Sequence, residues 1–201
     1  MAPTNSSWQN TIIRDQLLAS AGIKKRVLEE CAEDIQRAGD LLVQSSQDGG
    51  KMLVCGNGGS AADAQHIATE LVVRMEKERP GIQAIALTTD TSLLTAMSND
   101  YGFDSVFARQ VETLSHPGDI LLAISTSGNS SNVVQAAQVA KANQMNVLVL
   151  TGKSGGELQS LGDVVINIPS DDTQRIQEAH ITVGHILCTL VERSLFPDYF
   201  E

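Results

Sequence analysis

Positive charge is scarce in this 201-residue chain, where 14 Lys and Arg stand against 24 Asp and Glu for a formal net charge of −10. A nucleic acid or an anionic membrane surface needs a basic footprint on its partner, so neither is expected here, although a local basic pocket can still hold a small phosphate. Long apolar runs are missing too. No stretch approaches the roughly 18 residues of a membrane span, and the opening segment, residues 1–8, has neither the basic start nor the apolar centre of a signal peptide. A cytoplasmic location is the expectation. The three cysteines, Cys31, Cys55 and Cys188, are odd in number and scattered among apolar residues. That argues against a disulfide framework or a zinc knuckle and suits reduced core thiols. Aromatic residues make up only 3% of the chain and prolines number 5, but 42% of residues are hydrophobic. This composition describes one globular domain or slightly more, with ample core, and is not that of a disordered chain.

The chain is organised around Cys55-Gly56-Asn57-Gly58-Gly59-Ser60-Ala61-Ala62-Asp63-Ala64-Gln65-His66-Ile67-Ala68-Thr69-Glu70. The apolar run 51–55 reads as a buried strand, the glycines as a sharp turn that can approach a ligand, and Ser60 as the N-cap of a helix from Ala61 to about Lys77. The free N–H groups and positive dipole end of that helix then face the glycine loop, as in an anion site. His66 and Glu70 lie four residues apart on one helix face, where an imidazole and a carboxylate could converge on a metal or on a substrate proton.

Residues 1–46 form an N-terminal helical segment ahead of a domain spanning 47–201. Ile12, Ile13, Leu17 and Leu18 mark a first amphipathic block, which Gly22 is expected to interrupt. Val27, Leu28, Cys31, Ile35, Ala38, Leu41 and Leu42 mark a second, closed by Gln47-Asp48-Gly49-Gly50. Such helices pack on the core or on a neighbouring subunit. The regular apolar stripe, in so aromatic-poor a chain, favours self-association over a helical layer within the monomer. From residue 51 onward, strands at 51–55, 82–88, 119–126, 146–151 and 163–169 alternate with helices near 60–77, 91–114 (as two), 130–144, 155–161 and 172–195. Continuous apolar strands between helices predict an α/β fold: a five-stranded parallel sheet covered by helices on both faces, an αβα sandwich.

Ligands in such sheets bind at the carboxyl ends of the strands. Three loops rich in glycine and hydroxyl groups fall on that edge: Gly56–Ser60, Ser125–Ser131 and Thr151–Gly156. The second holds four serines and a threonine in seven residues and runs into a helix near Ser130. It offers neutral donors and free N–H groups to an anion, and a sugar phosphate is the ligand this describes. Gly56-x-Gly58-x-x-Ala61 meets the dinucleotide fingerprint only formally. Glu76 and Glu78 precede the second strand and Asp90 lies too far on, so the acidic residue that motif requires is misplaced. A P-loop is excluded, because Gly152-Lys153-Ser154 lacks its preceding glycine.

The segments 55–66, Ser98-Asn99-Asp100-Tyr101, Ala123–Ser130, Leu150–Gly156 and Arg175-Ile176-Gln177-Glu178-x-His180 together resemble the sugar isomerase (SIS) domain family. Within it they resemble the branch that acts on seven-carbon sugar phosphates, over essentially the whole chain. The resemblance implies a homotetramer of SIS domains with active sites between subunits, and a zinc cofactor. It also implies isomerisation of sedoheptulose 7-phosphate to D-glycero-D-manno-heptose 7-phosphate, a step toward lipopolysaccharide or other cell-surface glycans. The metal ligands it implies are His66, Glu70, Gln177 and His185, with Glu70 and His185 also the acid–base pair. Its substrate contacts fall on Asn57, Gly58, Gly59, Ser60, Glu70, Arg74, Asn99, Asp100, Ser125, Thr126, Ser127, Ser130 and Gln177. A carboxylate, an imidazole and a metal suit the movement of a carbonyl between C2 and C1.

Two tensions accompany these assignments. A metal-bound carboxylate is a weakened base. In addition, eight helical residues between Gln177 and His185 rise about 12 Å, too far for shared coordination unless Gln177 lies at a frayed helix start or the two come from different subunits. His180 is therefore the second-choice ligand, against a core role for a histidine in an apolar helix. A non-catalytic branch of the family binds the replication initiator DnaA and lacks the catalytic Glu and the final His. This chain keeps both, as Glu70 and His185.

Overall fold

The computed structural model describes residues 6–200. Five strands, β1 Met52–Gly56, β2 Ala84–Ala86, β3 Ile120–Ile124, β4 Asn146–Gly152 and β5 Val164–Ile168, form one sheet in the order β2-β1-β3-β4-β5. Every neighbouring pair is parallel, as the continuous apolar strands predict. The chain leaves β1 toward β2 on one side and resumes with β3 on the other. The carboxyl ends of β1 and β3 therefore flank the point where the strand order reverses, the place where open parallel sheets bind ligands.

Side-chain alternation divides the interior into two layers. Met52, Val54, Ile120, Leu122, Ile124, Leu148 and Leu150 face one way with Ile166 and Ile168. There they meet α2 (Ala32–Gln47), α3 (Gly59–Val72) and α7 (Thr173–Leu195). Leu53, Cys55, Leu121, Ala123, Val147 and Val149 face α4 (Thr91–Tyr101), α5 (Val106–Leu114) and α6 (Ser131–Ala142) on the other side. Burial raises the thiols of Cys55 and Cys188 to about 12. All three cysteines are free and buried, as core thiols are.

Several boundaries differ from the sequence reading. The first helix, α1 Ser6–Glu30, runs straight through Gly22 and breaks at Cys31 instead. A Cβ at Gly22 would meet nothing within 4 Å, so no packing requires its small size, and a lone exposed glycine costs a helix only about 1 kcal/mol. The N-cap of α3 is Gly58, with positive φ, not Ser60, and Ser60 is itself the second helical residue. That helix stops at Val72 instead of Lys77 because the Glu192 carboxylate accepts the N–H groups of Met75, Glu76 and Lys77 and draws the chain out of the helix. The expected strand 82–88 keeps only Ala84–Ala86, since Ile82 N–H donates to Leu71 O of the preceding helix. The expected helix at 155–161 is a 3₁₀ turn, Glu157–Ser160. Two helices, α4 and α5, do fill 91–114, joined by a 3₁₀ turn at Phe103–Ser105.

The two N-terminal helices behave differently. Helix α2 buries Ile35, Ala38 and Leu42 against the sheet layer. Helix α1 leaves Trp8, Ile12, Ile13, Leu17 and Leu18 exposed, Leu17 by 67%. Among the described residues no helix is long and apolar enough to cross a membrane.

Candidate active site

Helices α3 and α7 both start at the carboxyl edge, after β1 and β5, and run side by side in the same direction. Their contacts keep an almost constant offset: the Gln177 amide lies against Gly59, Gly184 against Ile67, and Cys188 Sγ near Ile67 O. Gly184 sets the spacing. A Cβ there would sit 2.7 Å from Ile67 Cδ1, a distance no packed core tolerates. The close approach brings His185 of α7 onto His66 of α3, with ring centroids 4.9 Å apart and the planes at 75°.

His66 Nε2 lies 3.1 Å from Glu70 Oε1 and 3.4 Å from His185 Nε2. One ligand atom from each of the three residues falls within 4.8 Å of the others. The i, i+4 pair predicted on α3 is thus completed from a helix more than a hundred residues away. Asp63, three residues before His66 on the same helix, is half-buried near the cluster. Burial pushes its carboxyl up, and the charges of His66 and His185 pull it back.

Gln177 does not sit at a frayed start. It lies within α7, whose N-cap Asp172 accepts from Gln174 N, and its amide rests on Gly59 at the glycine loop. At about 1.5 Å per residue His185 is about 12 Å further along the same helix. His180 takes the core role. It is fully buried, its Nε2 is 3.0 Å from Thr151 O, and burial lowers its pKa to about 4.

At the carboxyl edge the polar groups are largely paired with one another. Asn57 and Asn132 exchange two amide hydrogen bonds, Asn57 Nδ2 donating at 2.8 Å and Asn132 Nδ2 at 2.9 Å. Ser125 Oγ and Ser130 Oγ are 3.0 Å apart. Asn129 N–H donates to Ser127 Oγ, Asn129 Nδ2 donates to Ser127 O, and Asn129 Oδ1 accepts from Glu157 N. Gly128, at φ 69°, has room for no side chain, because a Cβ would lie 1.9 Å from Gly155 O. The loop after β4 thereby braces the loop after β3. Thr126 is half-buried in that loop, Ser60 is buried at the start of α3, and helix α6 begins next to Ser130 as predicted.

Other expected contacts stand apart from this edge within the chain. Arg74 lies beyond the end of α3 and pairs with Glu78 at 3.0 Å. Asn99 and Asp100 are exposed at the end of α4, where Asn99 Nδ2 donates to Asp100 Oδ1. Among the described residues no hydrogen bond or ion pair joins these three to the loops or the cluster. The sequence also gave no warning of the fully buried Arg79–Glu192 ion pair, 2.9 Å long. Arg79 donates to the carbonyls of Glu70 and Leu71 and so pins the end of α3 under the cluster. Burial opposes the charge on Glu192, but its three backbone donors and Arg79 outweigh that and hold its pKa below the usual carboxylate value.

The SIS domain family profile matches residues 18–152. A phosphoheptose isomerase of Roseiflexus sp. (strain RS-1) is 52% identical over 184 residues, covering 92% of this chain and 93% of the relative. One of Thiobacillus denitrificans is 55% identical over 180 residues, 88% of this chain and 91% of that one. Among solved structures, a phosphoheptose isomerase from Neisseria gonorrhoeae superposes with a TM-score of 0.87 at 43% identity, covering 92% of this chain and 98% of the other. One from Francisella tularensis superposes at 0.89 with 39% identity and the same coverage. Agreement in sequence, in fold and over nearly the full length of each relative places the chain in the SIS domain family, among the phosphoheptose isomerases.

Proposed function

We propose that this protein is an aldose–ketose isomerase that converts sedoheptulose 7-phosphate into D-glycero-D-manno-heptose 7-phosphate. The observation that carries the reading is the convergence of His66, Glu70 and His185 on paired helices whose N-terminal ends carry the glycine loop and Gln177. The rise from Gly59 to His66 is about 10 Å. An extended seven-carbon phosphate is also on the order of 10 Å from its reacting carbons to phosphorus, given C–C bonds of about 1.5 Å. A phosphate at the loops therefore leaves the carbonyl end near the cluster.

The donor set suits zinc. Two imidazoles and a carboxylate are a known catalytic combination, and here one ligand atom from each lies within 4.8 Å of the others. His66, Glu70 and His185 would hold the ion. Gln177 would complete the set only from another subunit, and within one chain its amide is placed for the substrate. Held there, zinc would supply an electrophile for the carbonyl oxygen. Glu70 removes the proton from C1 and returns it to C2, while His185 carries the hydroxyl proton from O1 to O2. Glu70 Oε1 faces His66, and Oε2, which has no hydrogen bond among the described residues, is the oxygen free to act as base.

The phosphate is held at the glycine loop, Asn57, Gly58, Gly59 and Ser60, and by Ser125, Thr126, Ser127 and Ser130, next to the N-termini of α3 and α6. Arg74, Asn99 and Asp100 reach the substrate of a neighbouring subunit. That assignment accords with the exposed apolar face of α1, which we assign to the contacts of a homotetramer. The product would feed cytoplasmic synthesis of surface glycans. Retention of Glu70 and His185 disfavours a non-catalytic, DnaA-binding role. Purified protein with zinc supplied should form aldose from sedoheptulose 7-phosphate and should scatter light as a tetramer. No turnover, or a monomeric mass, would count against the corresponding part of the reading.

A further inference from the structure

The reciprocal amide pair between Asn57 and Asn132 joins the two loops that flank the strand-order reversal. Asn57 follows β1, and Asn132 lies in the first turn of α6 after β3. The two are 75 residues apart in sequence, and Asn132 is only 2% exposed. Each side chain both donates to and accepts from the other. A two-bond amide pair is directional and fixes distance and orientation together, as a single bond does not. The Asn57 amide is thereby spent inside the protein. The loop that Asn57 anchors runs straight into helix α3, and the first-turn N–H groups of α3 and α6 can meet on one anion only while the two loops keep their separation.

We infer that Asn132 is a positioning residue for the phosphate site, and that the Asn57 side chain acts through Asn132 instead of touching substrate. The inference rests on the isomerase reading for its substrate but not for its test, because inorganic phosphate binding can be measured without turnover. Asn57→Ala, Asn132→Ala and the double variant would be compared by calorimetry with inorganic phosphate, and by kcat and KM with sedoheptulose 7-phosphate. Each single variant should weaken phosphate binding and raise KM on the order of tenfold, with kcat within about twofold, because ground and transition states lose the same contact. The double variant should be no weaker than the worse single one, since removing both partners leaves no buried amide unpaired and the two losses are one interaction. Its folding also guards against a single variant that fails to fold. If the losses multiply in the double variant, Asn57 touches the ligand directly and the inference is overturned. It is equally overturned if phosphate binding and KM stay at wild-type values while only thermal stability falls, or if the wild-type protein binds no phosphate.

Discussion

The loops at the carboxyl edge and the cluster some two helical turns below them are built in opposite ways. In the loops after β1 and β3 the side chains are neutral and largely paired internally: Asn57 with Asn132, Ser125 with Ser130, Asn129 with Ser127. In the cluster three ionisable side chains have one another as hydrogen-bond partners among the described residues. Support for the cluster comes from the backbone beneath it, through Gly184 against Ile67 and through Arg79 on the carbonyls of Glu70 and Leu71. A saturated, rigid frame presents the same backbone donors to substrate and transition state and so contributes mainly to binding. Side chains whose polar atoms are left available to an ion or a proton contribute mainly to the chemical step. The division of labour is written into how each region satisfies its polar groups.

Substitutions should separate the two regions in kinetics. The largest effect is expected for Glu70→Gln, which keeps the size of the side chain but cannot accept a carbon-bound proton. kcat should fall about 10²–10⁴-fold, the range for loss of general acid–base catalysis, with KM little changed. Zinc content measured beside the kinetics tells loss of the base from loss of the metal. Full zinc with near-normal kcat would remove Glu70 as the base and leave His185. A smaller effect is expected for Ser127→Ala. Losing one hydroxyl of the proposed phosphate loop, worth about 0.5–1.5 kcal/mol, should raise KM roughly two- to tenfold and leave kcat nearly intact. A Ser127→Ala variant whose loss falls on kcat would erase the contrast between the regions.

What the sequence reveals follows from how local each feature is. Apolar runs marked every strand, most plainly β1, β3 and β4, which are covered on both faces and have no polar side to confuse the pattern. The spacing of four put His66 and Glu70 on one face, and helix α3 alone suffices for that. His185 entered only through a family resemblance. Its contact with His66 depends on two helices far apart in the chain and on the missing side chain of Gly184, which no periodicity marks. Asn132 and the Arg79–Glu192 pair were missed for the same reason, since a polar residue in a helix reads as surface until its distant partner is known. The early end of α3 is a consequence of that buried pair. Gly22 misled in the other direction, because a glycine signals a break only where packing or a turn uses it.

The central claim, that binding and chemistry reside in separate regions, is tested most directly by treating the wild-type protein with a chelator and titrating it with inorganic phosphate and with sedoheptulose 7-phosphate. The account predicts that turnover disappears and returns with added zinc, while phosphate binds the treated protein within about threefold of its original affinity, the loops standing apart from the cluster along the helices. Loss of phosphate binding together with turnover would contradict it, because the cluster would then be part of the frame that holds the anion.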